Sequence, residues 1–152
     1  MTYEDLLIHA DDVGLIVKEK CLTGYKGRIY KNRIAIRKDI PTLREKSCVL
    51  AEELGHYYTT TGDILDTKDT ANNKQELKAR MWGYNKKIGL VGIINAFEAH
   101  CTNLYEVAEY LDVTELYLLN AIDSYKKKYG IYKKIDNYII YFEPCLAVMK
   151  LF

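Results

Sequence analysis

The stretch Cys48-Val49-Leu50-Ala51-Glu52-Glu53-Leu54-Gly55-His56-Tyr57-Tyr58 decides how the chain is read. It lies inside a segment, Thr42 to about Thr59, whose apolar residues Leu43, Val49, Leu50, Leu54 and Tyr57 supply one face of a helix, with Pro41 in its opening turn. On that helix Glu52 and His56 stand four apart, project from one face and can share a ligand. Glu53 is turned by about 100° and can reach a water held between them. Two ligands at i and i+4 with a Glu at i+1 is the pattern of a catalytic metal helix, the Glu serving as general base. The common form has His at i, where this chain has Glu52. Carboxylates and a His on an amphipathic helix also describe an ordinary solvated face.

A second segment follows, from Asn72 or Asn73 to Lys87. In Gln75-Glu76-Leu77-Lys78-Ala79-Arg80-Met81-Trp82-Gly83 the residues Glu76, Ala79 and Gly83 form one stripe. Small residues at 79 and 83 would let this helix pack closely on a neighbour, so Glu76 could join Glu52 and His56 as third ligand and leave one position for water. The alternative for Glu76 is an ion pair with Arg80 one turn later. Asp63 and Asp66, in the connection, are spare carboxylates that could replace Glu76.

On the N-terminal side, Tyr3, Leu6, Leu7, Ala10, Val13 and Val17 recur at steps of three and four, which predicts a helix over Tyr3–Lys20 capped by Thr2. Gly24 and Gly27 break the pattern. Arg28 to Arg37 alternates around Lys31-Asn32 and predicts a β-hairpin. On the C-terminal side, Ile93 to His100 is helical. Asn103 with Glu106 is a capping box opening a helix through Leu111. Asp112-Val113-Thr114 turns the chain, and Thr114 caps a further helix that stops at Gly130. Ile139 to Phe142 is strand-like and ends before Pro144.

The chain has 152 residues, 22 Lys+Arg against 21 Asp+Glu, and 49% hydrophobic residues. That suits one domain spanning 1–152, divided into residues 1–100 with the hairpin and metal-site helices and residues 101–152 with the C-terminal helices and a short terminal strand. The fold class expected is α+β, mainly helical. A net charge of +1 gives no bulk attraction to nucleic acid or anionic membrane. The longest uncharged apolar stretch, Ile88 to Phe97, is ten residues, about half of a membrane span. The acidic start Met-Thr-Tyr-Glu-Asp is unlike a signal peptide. Cys21, Cys48, Cys101 and Cys145, spread without a Cys-x-x-Cys pair, read as free thiols in a reducing cytosol.

Taken in order, Gly27-Arg28-Ile29-Tyr30, Leu50 to His56, Gln75-Glu76-x-x-Ala79-Arg80-x-Trp82, Tyr105 to Thr114 and Tyr141-Phe142-Glu143-Pro144 resemble the ImmA/IrrE-type metallopeptidases of phages and integrative elements in low-GC Gram-positive bacteria. The resemblance covers nearly the whole chain and implies a zincin-like core. It maps Glu53 to the base, His56 to the second His ligand and Glu76 to the acidic ligand of the next helix. Glu52 departs from the first His of the His-Glu-x-x-His motif. A Glu-His-Glu set would cancel the formal charge of Zn²⁺ and suits Mn²⁺ or Fe²⁺ better than imidazole does. Arg80 is a candidate donor to the developing oxyanion, and the hairpin a candidate edge for an extended substrate. The implied activity is zinc-dependent endoproteolysis of a helix-turn-helix repressor. The alternative is a non-catalytic module that grips such a repressor.

Tyr105 to Tyr117 also resembles a helix-turn-helix. From Ile88 to Tyr125, 38 residues carry six acids and no Lys or Arg, a potential that repels phosphate and argues against direct DNA binding. The Lys126–Lys134 cluster complements a helix C-terminus instead. His9 and His100 receive no role.

Overall fold

The expected first helix stops halfway. In the computed structural model, which describes residues 1–60 and 70–152 with the side chains of the third helix from Asn73 onward, α1 spans Tyr3–Asp12. Thr2 and Asp5 cap it reciprocally: Asp5 N donates to Thr2 Oγ1 at 3.2 Å and Thr2 N to Asp5 Oδ2 at 2.8 Å. Gly14 then takes φ +80°, which a side chain would resist, and Leu15 N closes onto Ala10 O at 2.9 Å. The rest of the predicted helix is a strand, β1 (Ile16–Lys20). Val17 fell on the helical stripe by coincidence of period. Ile16 and Val17 are β-branched, and the segment pairs in parallel with β3 (Arg33–Arg37) from Ile16↔Arg33 to Lys20↔Arg37.

The hairpin stands where the alternation put it. β2 (Gly27–Tyr30) runs antiparallel to β3 around Lys31, whose φ is +53°. The sheet order is β1-β3-β2, which leaves one edge of β2 without a paired strand among the described residues.

Pro41 lies outside the helix it was expected to open, two residues before the first helical position. α2 (Leu43–Thr59) begins after Thr42, whose hydroxyl accepts from Glu45 N at 3.1 Å. Leu50, Ala51 and Leu54 are fully buried and join Leu6, Ala10, Ile34 and Ile36 in a core closed by Ile29, Val49 and Trp82. Leu43 and Tyr57, expected on the apolar face, are exposed. α3 spans Thr70–Lys87, starting before the predicted Asn72 or Asn73. Asp63 and Asp66 lie outside the described residues.

Two compact units are present, Met1–Lys86 and Lys87–Phe152. The second unit holds α4 (Gly89–Glu98), α5 (Leu104–Leu111), α6 (Glu115–Tyr129) and an antiparallel sheet β4-β5-β6 (Tyr132–Ile135, Tyr138–Tyr141, Ala147–Lys150). α4 therefore starts ahead of the predicted Ile93 and includes Gly89 and Gly92. A Cβ at Gly92 would come within 3.2 Å of the Leu111 side chain, so this glycine serves packing on α5. Asn103 accepts from Glu106 N at 2.9 Å, but the Glu106 carboxylate returns to Thr102, not Asn103, at 2.6 Å to N and 2.9 Å to Oγ1. Gly130 ends α6 with φ 89° and ψ −153°, a positive-φ conformation that favours glycine. Leu118, Tyr125 and Ile140 are fully buried at its core. β4 and β6 escaped the sequence reading because β4 is Tyr-Lys-Lys-Ile on an edge, exposed on both faces save Ile135.

The architecture is thus mainly helical α+β with two three-stranded sheets. All four cysteines are free thiols. Among the described residues no helix is long and apolar enough to cross a membrane.

Candidate metal centre

α2 and α3 approach to direct backbone contact. A Cβ placed on Gly55 would lie 2.1 Å from the carbonyl oxygen of Ala79, so only glycine fits between the helices there. Ala79 and Gly83 are both buried, as the small-residue stripe predicted. This crossing sits one residue before His56 and three after Glu76, and so brings the two side chains together.

One donor atom each of Glu52, His56 and Glu76 lies within 4.8 Å of the others. His56 Nε2 stands 3.5 Å from Glu76 Oε2. The donors round a tetrahedral zinc are about 3.4 Å apart, given bonds near 2.1 Å. The set is convergent and about an ångström from closure. Its chemistry, two carboxylates and an imidazole on a partly open face, fits a divalent cation with a further position for solvent or substrate. His56 is buried, and its Nδ1 has no hydrogen-bond partner among the described residues. A ligating imidazole ordinarily anchors that second nitrogen, and none of the described residues anchors it here.

Glu53 lies beside this trio and is 8% exposed. Burial, then the Glu52 charge, then the Glu76 charge push its carboxyl up to about 8. Ionised together, the three carboxylates around one imidazole would repel one another, and a cation would offset that repulsion.

Arg80 reaches across to α2. Its Nε is 3.4 Å from Glu52 Oε1, so it pairs across the helices with the first candidate ligand. The pair expected with Glu76 is absent among the described ion pairs. Arg80 thus lies within ion-pair distance of a candidate ligand carboxylate.

Two glycines matter that the sequence reading passed over. Gly55 had a signal: a glycine inside a helix costs about 1 kcal/mol relative to Ala and asks for a packing reason. Gly27, taken as a pattern breaker, opens β2 against the site. A Cβ there would meet Val49 Cγ1 at 2.7 Å and Glu53 Oε1 at 2.9 Å. Its φ lies outside the left-handed region, so the glycine is there for room. Nothing local in the sequence tells that from a turn glycine.

His9, left without a role, lies 2.8 Å from the Tyr58 hydroxyl, and Tyr58 stacks on Trp82 at 4.8 Å, an aromatic seam between α1, α2 and α3. His100 is exposed with φ +64° at the end of α4.

No family model matches this chain, and no curated protein or solved structure matches it either.

Proposed function

We propose that the chain is a one-metal endopeptidase of the ImmA/IrrE kind, acting in the cytoplasm on a helix-turn-helix repressor of a phage or mobile element. The observation that carries the chemistry is the convergence of Glu52, His56 and Glu76 beside a buried Glu53. The target and the zincin-like core rest on the sequence resemblance. Zn²⁺ is the ion proposed, with Mn²⁺ or Fe²⁺ suited by the two carboxylates. Held there, such a cation would acidify a water and polarise a peptide carbonyl.

The chain's own residues supply the rest. Glu52, His56 and Glu76 fix the seat. Glu53, ionised once a cation offsets its neighbours, accepts the water proton and hands it to the leaving amine. The open edge of β2, which begins against Glu53, offers main-chain hydrogen bonds to an extended substrate.

Elemental analysis tests the seat: about one metal per chain is expected, lost in His56→Ala and weakened in Glu76→Ala. Glu53→Gln should keep the metal and lower repressor cleavage by about 10³-fold or more. Cleavage that survives this change removes Glu53 as the base.

The second reading, a repressor-binding module without catalysis, is favoured by the Arg80–Glu52 pair, because a cation already stands where an active site would want a free ligand. Glu52→His separates the two. A peptidase keeps or gains cleavage, whereas a binding module stays inactive in both forms.

A further inference from the structure

The sheet of the first unit carries most of its cations on one face, where Arg37 is paired with Asp39 at 2.8 Å. Between Lys18 and Lys38 the chain carries eight cations (Lys18, Lys20, Lys26, Arg28, Lys31, Arg33, Arg37, Lys38) and one acid, Glu19, although its net charge is just +1. The register shows where they point. Ile29, Ile34, Ile36 and Val17 face the core, so the alternating positions Lys18, Lys20, Arg28, Arg33 and Arg37 share the opposite face with Tyr30. Arg28 pairs with Ala35, which pairs with Lys18, and Tyr30 pairs with Arg33. Glu19 turns to the other side, where Lys46 and Tyr3 hold it. Among the described residues, Arg28 and Lys31 meet no carboxylate; they lie over the Tyr25 and Tyr30 rings at 5.6 and 5.5 Å.

We propose that this cationic face and the free edge of β2 together bind an extended acidic polypeptide, with carboxylates at alternate positions. Lys26 O accepts from Arg37 N, so the hydrogen-bonded pairs of the hairpin are 26/37, 28/35 and 30/33. The N–H groups of Gly27 and Ile29 consequently face the open edge and are the donors an added strand would use. Every second side chain of that strand would fall on the Arg28 side, where an acid finds cations. Single-stranded nucleic acid is the weaker fit, because cations already cover the tyrosine faces on which bases would stack. The proposal names the substrate class for the peptidase reading, and it stands or falls on binding alone.

The test uses the full chain with chelator present, so that no cleavage intervenes. The probes are end-blocked peptides about ten residues long, alternating Thr with Glu or Thr with Gln, and an oligodeoxythymidine of similar length. The Glu peptide should bind about tenfold or more tightly than the Gln peptide, lose that advantage in 0.5 M salt, and lose it in Arg28→Glu/Arg33→Glu. Both changes are at exposed positions, and circular dichroism checks that the fold persists. In amide NMR spectra, Gly27 and Ile29 should shift more than Arg28 and Tyr30. Equal binding of the two peptides overturns the proposal. So does shift confined to side chains with the Gly27 and Ile29 amides unmoved, or tighter binding of the oligonucleotide, which assigns the face to nucleic acid. A chain that binds the acidic peptide yet never cleaves keeps this proposal and refutes the peptidase.

Discussion

Each unit of the molecule buries an ionisable side chain, and the two are treated in opposite ways. In the second unit Lys87, 3% exposed, donates to Asp112 O at 2.8 Å, with the Asp112 carboxylate at 3.8 Å. Asp112 is the left-handed residue that turns α5 into α6, so the buried cation, the last residue of α3, is tied to that turn. In the first unit Glu53, 8% exposed, has two like charges as its electrostatic neighbours. One buried group is paired within the fold, and the other has only like charges beside it. Buried charges are costly unless paired, so an unrelieved cluster points to a use outside folding.

The comparison breaks first at the helix crossing, where the largest effect is expected. Gly55→Ala drives a methyl into the Ala79 carbonyl, with no flexible side chain to yield. A loss of about 3–4 kcal/mol in denaturant unfolding is expected, with loss of metal binding as Glu76 leaves His56. A stable, metal-competent variant would mean that the crossing does not set the site.

The next effect tests the frustration of Glu53 directly, in chelated protein. Its carboxyl is raised from 4.5 in the unfolded chain to about 8 in the folded one. Between those values the folded state holds the proton and the unfolded state does not, so stability falls as pH rises across that window. Glu53→Gln removes the titration. Wild type and variant should match near pH 4.5, and above pH 8 the variant should be more stable by on the order of 2–3 kcal/mol. Saturating metal should close that gap by favouring the ionised carboxylate. A flat difference across pH would show that Glu53 is not held neutral.

Lys87 should behave in the reverse sense. Lys87→Met removes a cation whose hydrogen bond holds the Asp112 carbonyl, and a cost of about 1–3 kcal/mol is expected, without pH dependence between 5 and 8 and without effect on metal content. Stabilisation by Met would place Lys87 with Glu53 as a charge kept at the fold's expense.

How much of this was legible follows the same divide. The Asn103 and Thr114 caps, the Asp-Val-Thr turn and the Lys31-Asn32 hairpin were readable because each depends on residues within four positions of one another. Glu52 and His56 were readable for that reason too, being one helical turn apart. Glu76 needed a second helix, and its placement rested on the small stripe at Ala79 and Gly83. What could not be read was contact between segments far apart in the chain: Gly27 on Glu53, Gly55 on Ala79, and Arg80 crossing to Glu52 rather than pairing along its own helix. The α1–β1 error has a related cause. Val13 and Val17 satisfy a helical step, and only the parallel partner β3 decides for a strand.

Arg80 gives the smallest and most discriminating effect. Its guanidinium and an incoming cation compete for Glu52, so each should weaken the other's hold. Both Arg80 and Glu52 are well exposed to solvent, which screens the pair and limits what it is worth. Arg80→Ala should therefore tighten metal binding by no more than about tenfold, read by competition with a colorimetric chelator. Arg80→Lys, which keeps charge on a more flexible stem, should fall between the two. The gain should shrink as salt is added, since added ions already do part of what the deletion does. Weaker metal binding in Arg80→Ala would reverse the assignment. Arg80 would then hold Glu52 in place for the ion instead of contending for it, and the first unit's cluster would resemble the second unit's Lys87–Asp112 pair more than its charges suggest.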